Sequence, residues 1–379
     1  MCVCVFFLLV RPPPVLCVDL SLYLSSRSFQ AIVELCYTDT DRFRPTSAYL
    51  TRGYYFERRL HCIHMEIKGA NEERQLPLLL ISQKEKQFFY NILDNRFHTI
   101  NIPELRNKYI LTSAFGWLIL VDINTEDCYL WNPVSLDKIE LPELTCPLTY
   151  NKCHLSKPPT EPDCHILFIA GNGLSRHFCQ IGDDQFVTQT TTDNVGCLSA
   201  VASFQGKIYG IVISHFVYQF VTANFVGGTL ELNPILIEGG LPWGMPQPSR
   251  PWTQMHVDYL IESSCGELLL VHKMFRCIHL EVGLEFRVFR VDVDQMECKE
   301  LENIGEQAIF ISDDGEAFCC SSLGVKPNSI YFTVPESRNL YIYDLNDRST
   351  SASLPCSIAR RSMIESYWVP PQIFRNFLN

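Results

Sequence analysis

The sequence predicts an all-β protein, a β-propeller of about six blades (seven if one is split), behind a short, poorly specified N-terminal segment. Three observations predict it. Four segments end alike, aromatic and β-branched residues run through the chain, and convincing long helices are absent after about residue 60. Asp94-Asn95 is followed by Ile102-Pro103, Asn132-Pro133 by Leu141-Pro142, Asn233-Pro234 by Leu241-Pro242, and Asn346-Asp347 by Leu354-Pro355. In each, an apolar run enters an Asn/Asp/Pro turn and a second run closes on Leu-Pro or Ile-Pro. Asn and Asp tolerate tight turns, whereas proline cannot donate to a central ladder and marks a strand's end. The unit reads as a repeated β-hairpin.

Composition agrees. At 47% hydrophobic, 12% aromatic and 19% charged residues, the chain of 379 buries a large core and is too apolar for disorder. The net charge of −11 argues against nucleic acid, because phosphate binding needs concentrated Lys and Arg. The pairs Arg58-Arg59 and Arg360-Arg361 read as solvated edge charges. The 17 cysteines are odd in number and scattered, with no CxxC pair, and the chain holds no Asn-x-Ser/Thr sequon. They read as small buried hydrophobes in a reducing compartment, so the expected location is cytoplasmic or nuclear. Met1 to Val10 is too short to span a membrane, and Ile208 to Leu230, although uncharged, has the Tyr, Phe, Val and Ile content of two hairpin strands. No membrane partner is expected.

Along the chain, residues 1–53 are weakly specified, with one or two helices suggested by Leu20 to Leu35. Residues 54–357 form the propeller, and 358–379 a C-terminal tail. Tyr54 to Ile67, Leu76 to Ser82 and Gln87 to Leu93 read as strands. Gly116-Trp-Leu-Ile-Leu-Val121 is apolar on both faces, as an inner strand should be. Pro147 to Pro162 reads as a polar loop. Val201 to Ile213 and Leu260 to His272 each hold a glycine between two strand-like runs. Phe286 to Val293 alternates, with a phase slip between Val288 and Phe289 that suggests a bulge. The closures fit units of roughly 40 to 55 residues, the range for propeller blades. The blades are expected at 54–105, 109–144, 163–192, 200–242, 255–304 and 308–355. Each is a small sheet that cannot cover both faces alone. Ring closure is expected from Tyr54–Ile67 pairing near Ser329–Leu345.

No residue set announces a reaction. Ser175 follows Gly173, but His177 stands where a nucleophile elbow needs its second glycine. Gly171-Asn172-Gly173 is a turn. His61-Cys62-x-His64 brings at most two ligands to one side of a strand, and the adjacent Cys319-Cys320 point to opposite faces. Asp183-Asp184 and Asp313-Asp314 are turn carboxylates. No metal, cofactor or catalytic residue is assigned, and the chain is read as a non-enzyme. Trp243 and Trp252, carried by the loop Gly239–Pro251 and its end, are the candidate partner-binding residues, because aromatic anchors on loops favour hot spots. The rival is a hydrolase or lyase with its site at the propeller's central channel.

Ala114-Phe-Gly-Trp-Leu-Ile-Leu-Val-Asp122, Leu130-Trp-Asn-Pro133 and Ile139-Glu-Leu-Pro142 resemble the plant F-box-associated KIB-type propeller. So do Gly315-Glu-Ala-Phe-Cys-Cys-Ser-Ser-Leu-Gly324, Ser329-Ile-Tyr-Phe332 and Tyr341-Ile-Tyr-Asp-Leu345. The resemblance covers about residues 55–357. It implies a protein-interaction propeller that recruits substrates for an SCF-type ubiquitin ligase. Members with that role begin with an F-box, a helical module with a Leu-Pro start and a later basic-Trp pair. Asp19 to Thr51 holds neither Leu-Pro nor Trp. Either the module is lost or the true start differs, so the ligase scaffold adaptor has no visible docking element here. A decayed family member is the remaining alternative.

Overall fold

The computed structural model describes residues 63–69, 72–83, 86–92, 96–144, 150–170, 173–191, 196–214, 217–241, 254–278, 281–311, 317–321, 324–333, 339–355 and 365–369. They fall into six sheets. The first holds β1 (Ile63–Gly69), β2 (Glu72–Gln83), β3 (Lys86–Asn91) and β4 (Arg96–Ile100). A 3-10 turn, Pro103–Leu105, leads to the second, with β5 (Lys108–Ala114), β6 (Trp117–Asp122), β7 (Cys128–Trp131) and β8 (Lys138–Glu140). The third comprises β9 (Tyr150–Leu155), β10 (His165–Ala170), β11 (Ser175–Gln180) and β12 (Val187–Thr190). The fourth has β13 (Cys197–Phe204), β14 (Lys207–Ser214), β15 (Val217–Val226) and β16 (Thr229–Ile235). The fifth has β17 (Gln254–Glu262), β18 (Leu268–Ile278), β19 (Glu281–Asp292) and β20 (Glu297–Leu301). The sixth contains β21 (Gln307–Ile311), β22 (Ala317–Ser321), β23 (Ser329–Thr333), β24 (Asn339–Asp344) and β25 (Ser349–Pro355). The last strand, β26 (Glu365–Val369), returns to the first sheet.

Sheets two to five are antiparallel meanders. In the sixth, β21 pairs antiparallel with β22 and parallel with β23, which makes β22 an edge. Five edge strands touch in series, β5 to β9, β9 to β13, β13 to β17 and β17 to β22. Five blades therefore stand in propeller arrangement, one fewer than the six expected. The first sheet joins through Tyr90, which packs with Ala308, Phe310 and Tyr331 of the sixth.

The apolar runs follow from this geometry. Ile166 and Phe168 of β10 pack against the second sheet, while Leu167 and Ile169 pack against the fourth. In β18, Leu268 and Leu270 face the fourth sheet, and Leu269 and Val271 the sixth. Successive residues on a strand point to opposite faces, so a strand between two neighbours must be apolar on both. Full burial of each such side chain contributes about 1.5–3 kcal/mol, available only when the next blade is present. Cys319 and Cys320 divide likewise between the fifth–sixth and first–sixth cores. Cys128, Cys164, Cys179, Cys197, Cys265, Cys298, Cys319 and Cys320 are in no disulfide.

The Asn/Asp turns recur with one design. The Asn132 Oδ1 accepts from the N–H groups of Val134 at 2.9 Å and Ser135 at 3.1 Å, and Leu136 takes φ +65°. Asp122 and Asp292 do the same for the residues two and three places on, with Glu126 at φ +63° and Met296 at +56°. Asp344 caps Asn346 at 2.8 Å, and Arg348 has φ +56°. The short Asn or Asp side chain replaces backbone acceptors the turn lacks. Gly173 meets a different need, since a Cβ there would lie 2.7 Å from the Cβ of Cys197 and 3.0 Å from the carbonyl of Leu198.

Several expectations are corrected. Asn233-Pro234 is not a turn; it lies within β16, opposite Thr222 and Val221, and the turn is Gly227-Gly228 at φ +57° and +77°. An edge strand tolerates proline, and paired positive φ values suit a two-residue hairpin. The Val288/Phe289 phase slip is no bulge, because the pairing with β18 runs unbroken. Val288 faces the sixth sheet and Phe289 the fourth, so both are apolar. Register shifts occur instead at Ile110/Thr112 and Leu198/Ala200. Residues 150–155, read as part of a loop, form β9. Of the Tyr54–Ile67 segment expected to pair near Ser329–Leu345, residues 63–67 belong to β1 and pair with β2, and residues 54–62 lie outside the described residues; β26 pairs with β2 and completes the first sheet. Residues 1–53, His61, Cys62, Arg58-Arg59, Arg360-Arg361 and Asp313-Asp314 lie outside the described residues.

Candidate functional site

Polar groups on the inner strands tie one blade to the next. The Lys152 ammonium on β9 donates to the carbonyl of Ser199 on β13. The His154 Nε2 lies 2.9 Å from the Ser203 hydroxyl, which donates to the carbonyl of Ser156 at 2.9 Å. Between the fifth and sixth sheets, the Ser264 hydroxyl donates to Gln307 Oε1 at 2.8 Å and meets that of Ser321 at 2.9 Å. These joints explain why β9 does not read as a strand, for its polar side chains have partners on the neighbouring blade.

Burial lowers the His154 imidazole from its ordinary value to about 4. The unfolded chain takes up this proton near pH 6.5 and the folded one only near pH 4. The stability it contributes is therefore complete above pH 6.5 and falls as pH drops towards 4. His154 keeps some solvent contact, which reduces the loss to about 1–2 kcal/mol. Urea midpoints at pH 7 and pH 4.5 should differ less for His154→Gln than for the wild type; equal differences would refute the assignment.

Further titratable side chains are buried, among them Asp258, His272, Lys273 and Arg176. Asp258 on β17 and His272 on β18 stand opposite in register, with Oδ1 and Nδ1 2.7 Å apart and exposures of 2% and 3%. A carboxylate that orients an imidazole is part of an acid–base relay. This pair, however, is sealed beside the layer of Leu260 and Leu270, out of a substrate's reach. Arg176 on β11 is likewise buried, donates to the Gly196 carbonyl at 3.3 Å, and has its pKa lowered by desolvation. Among the described residues, no group of three His, Cys, Asp or Glu side chains could hold a metal ion. Asp183 accepts from the N–H of Gln180 at 2.8 Å, as a turn carboxylate should.

Two surface features are concave or apolar. A cleft of about 350 Å³ lies between the fifth and sixth sheets, lined by Phe286, Arg287, Val288, Glu300, Leu301, Glu302, Asn303, Leu345, Asn346 and Arg348. Arg287 and Glu300 close one wall as a two-bond pair, and the hydrogen bond from Arg287 holds the Glu300 carboxyl below its usual range. At the seam between the fourth and fifth sheets, the N–H of Glu238 donates to the carbonyl of Met296 at 2.7 Å. Ile237 and Leu241 are buried there in the shared core, whereas Leu236 is 89% exposed.

The KIB1-4 beta-propeller family model matches residues 89–351. The chain belongs to this family. Among curated relatives, F-box protein At4g00893 of Arabidopsis thaliana is 33% identical over 105 residues, covering 26% of this chain and 26% of that protein. F-box protein At4g12382 of the same plant is 34% identical over 62 residues, covering 16% of this chain and 44% of that protein. The chain thus spans 26% and 44% of the length of these two relatives. TolB from Acinetobacter baumannii has a TM-score of 0.40 at 12% identity, with 78% of this chain and 67% of that chain covered. AztD from Citrobacter koseri has a TM-score of 0.32 at 11% identity, with 78% and 98% covered. Neither likeness carries an argument.

In this KIB1-4 propeller, Trp243 and Trp252 lie outside the described residues. The ends of their segment are described: Leu241 is buried between the fourth and fifth sheets, and Gln254 begins β17. Sequence reasoning missed Leu236, Met296, Arg176 and the Asp258–His272 pair. The signal for the pair was present, since His272 and Lys273 interrupt an apolar run from Leu268 to Phe275.

Proposed function

We propose that the propeller is a non-catalytic interaction module that holds a client protein, and that it serves as the substrate-recruiting part of an SCF-type ubiquitin ligase in the cytoplasm or nucleus. The observation that carries this reading is membership of the KIB1-4 family with relatives that are F-box proteins. The inner-strand joints add support, because polar groups near the axis are engaged by neighbouring blades. Trp243 and Trp252 are the proposed anchors on the rim. Tagged full-length protein should recover the ligase scaffold adaptor from plant extract. Trp243→Ala with Trp252→Ala should weaken client capture at least about tenfold while leaving adaptor recovery unchanged. A folded preparation that never recovers the adaptor, or one with hydrolytic activity, would overturn the reading.

A further inference from the structure

The seam between the fourth and fifth sheets combines three properties. It exposes apolar side chains, Leu236 at 89% and Met296 at 40%. The hydrogen bond from the N–H of Glu238, two residues after Leu236, to the carbonyl of Met296 holds the two segments against each other. Carboxylates border the patch, with Glu238 exposed beside Leu236 and Asp294 exposed two residues before Met296.

The backbone beneath is rigid. Ile237 and Leu241 are buried on either side of the Gly239-Gly240 turn, and the N–H of Gly240 donates to the carbonyl of Ile237 at 2.9 Å. Met296 is held at φ +56° by the Asp292 turn. An exposed leucine on a fixed turn loses little conformational entropy when a partner covers it. Met296 supplies an adaptable surface beside it. Pro234, within β16, removes a donor from the sheet edge, which disfavours strand addition and leaves side-chain contacts as the mode of docking.

Resting on the interaction reading above, we infer that Leu236 and Met296 form a docking patch for a basic, apolar segment of a client protein. An Ile, Leu or Phe would cover the patch while Lys or Arg meets Glu238 and Asp294. The charge complementarity sets specificity and association rate more than affinity.

A display library of random twelve-residue peptides, selected on the full-length protein, tests this directly. Enriched peptides should carry Lys or Arg within two or three positions of a large apolar residue. A synthetic peptide of that type should bind Leu236→Asp at least tenfold more weakly than wild type. Glu238→Lys with Asp294→Lys should shift selection towards acidic peptides. Both positions are exposed, so these variants should keep the wild-type melting temperature. Selection without basic–apolar enrichment, or equal binding by Leu236→Asp, would overturn the patch. If such peptides bind but the scaffold adaptor is never recovered, the ligase reading fails and the patch stands; the converse removes the patch alone.

Discussion

Truncating the chain after Pro355 is expected to destabilise the monomer markedly. The cut removes β26, whose residues from Glu365 to Val369 pair with Ser82 to Leu78 of β2. Residues 79–82 have no other registered partner among the described strands, because β1 ends its pairing at Leu78 and β3 begins at Gln83. At about 0.5–1.5 kcal/mol per ladder hydrogen bond, the loss is several kcal/mol. It also leaves a bare sheet edge, a template for aggregation. The truncated protein should melt about 10 °C lower and elute partly as aggregate. A monomer with the wild-type melting temperature would show that the terminal strand does not complete the first sheet.

The second large effect concerns the buried pair. Asp258→Ala removes the carboxylate that meets the His272 imidazole and is expected to cost about 3–5 kcal/mol. Asp258→Asn keeps an acceptor near the same position and should cost less. The double variant Asp258→Val, His272→Leu replaces both polar groups with apolar ones next to Leu260 and Leu270, and should cost less than the sum of its parts. Urea denaturation of the wild type, Asp258→Val, His272→Leu and the double variant supplies the full cycle. Additive losses, or a single variant within 1 kcal/mol of wild type, would mean that the contact contributes little.

The two effects illustrate different kinds of legibility. The blades could be read because local chemistry marks them. Apolar runs on both faces, as in Trp117 to Val121, belong only to strands with a neighbour on each side, and Asn132 declares its turn through its own side chain. Where a polar residue had a distant partner, the reading failed. Lys152 and His154 made β9 look like loop, since Ser199 and Ser203 lie 47 and 49 residues away. Asn233-Pro234 misled for the opposite reason: a sequence suited to a turn is equally tolerated on a sheet's outer edge.

The candidate surface shows the same division. Of the Gly239–Pro251 segment and its two candidate tryptophan anchors, only Gly239 to Leu241 lie among the described residues. That Leu236 and Met296 stand exposed at one seam was not legible in the sequence, because sixty residues separate them and the Glu238–Met296 contact brings their segments together. A chain's order determines which residues are apolar, which bend the backbone and how often the pattern returns; hence the all-β class and the propeller were already written in it. Which strand completes the first sheet, which charges meet in the core and which apolar side chains remain uncovered depend on pairings between distant segments. Those are settled by the packing of whole blades, since the free energy of a contact exists only once both partners have been brought together.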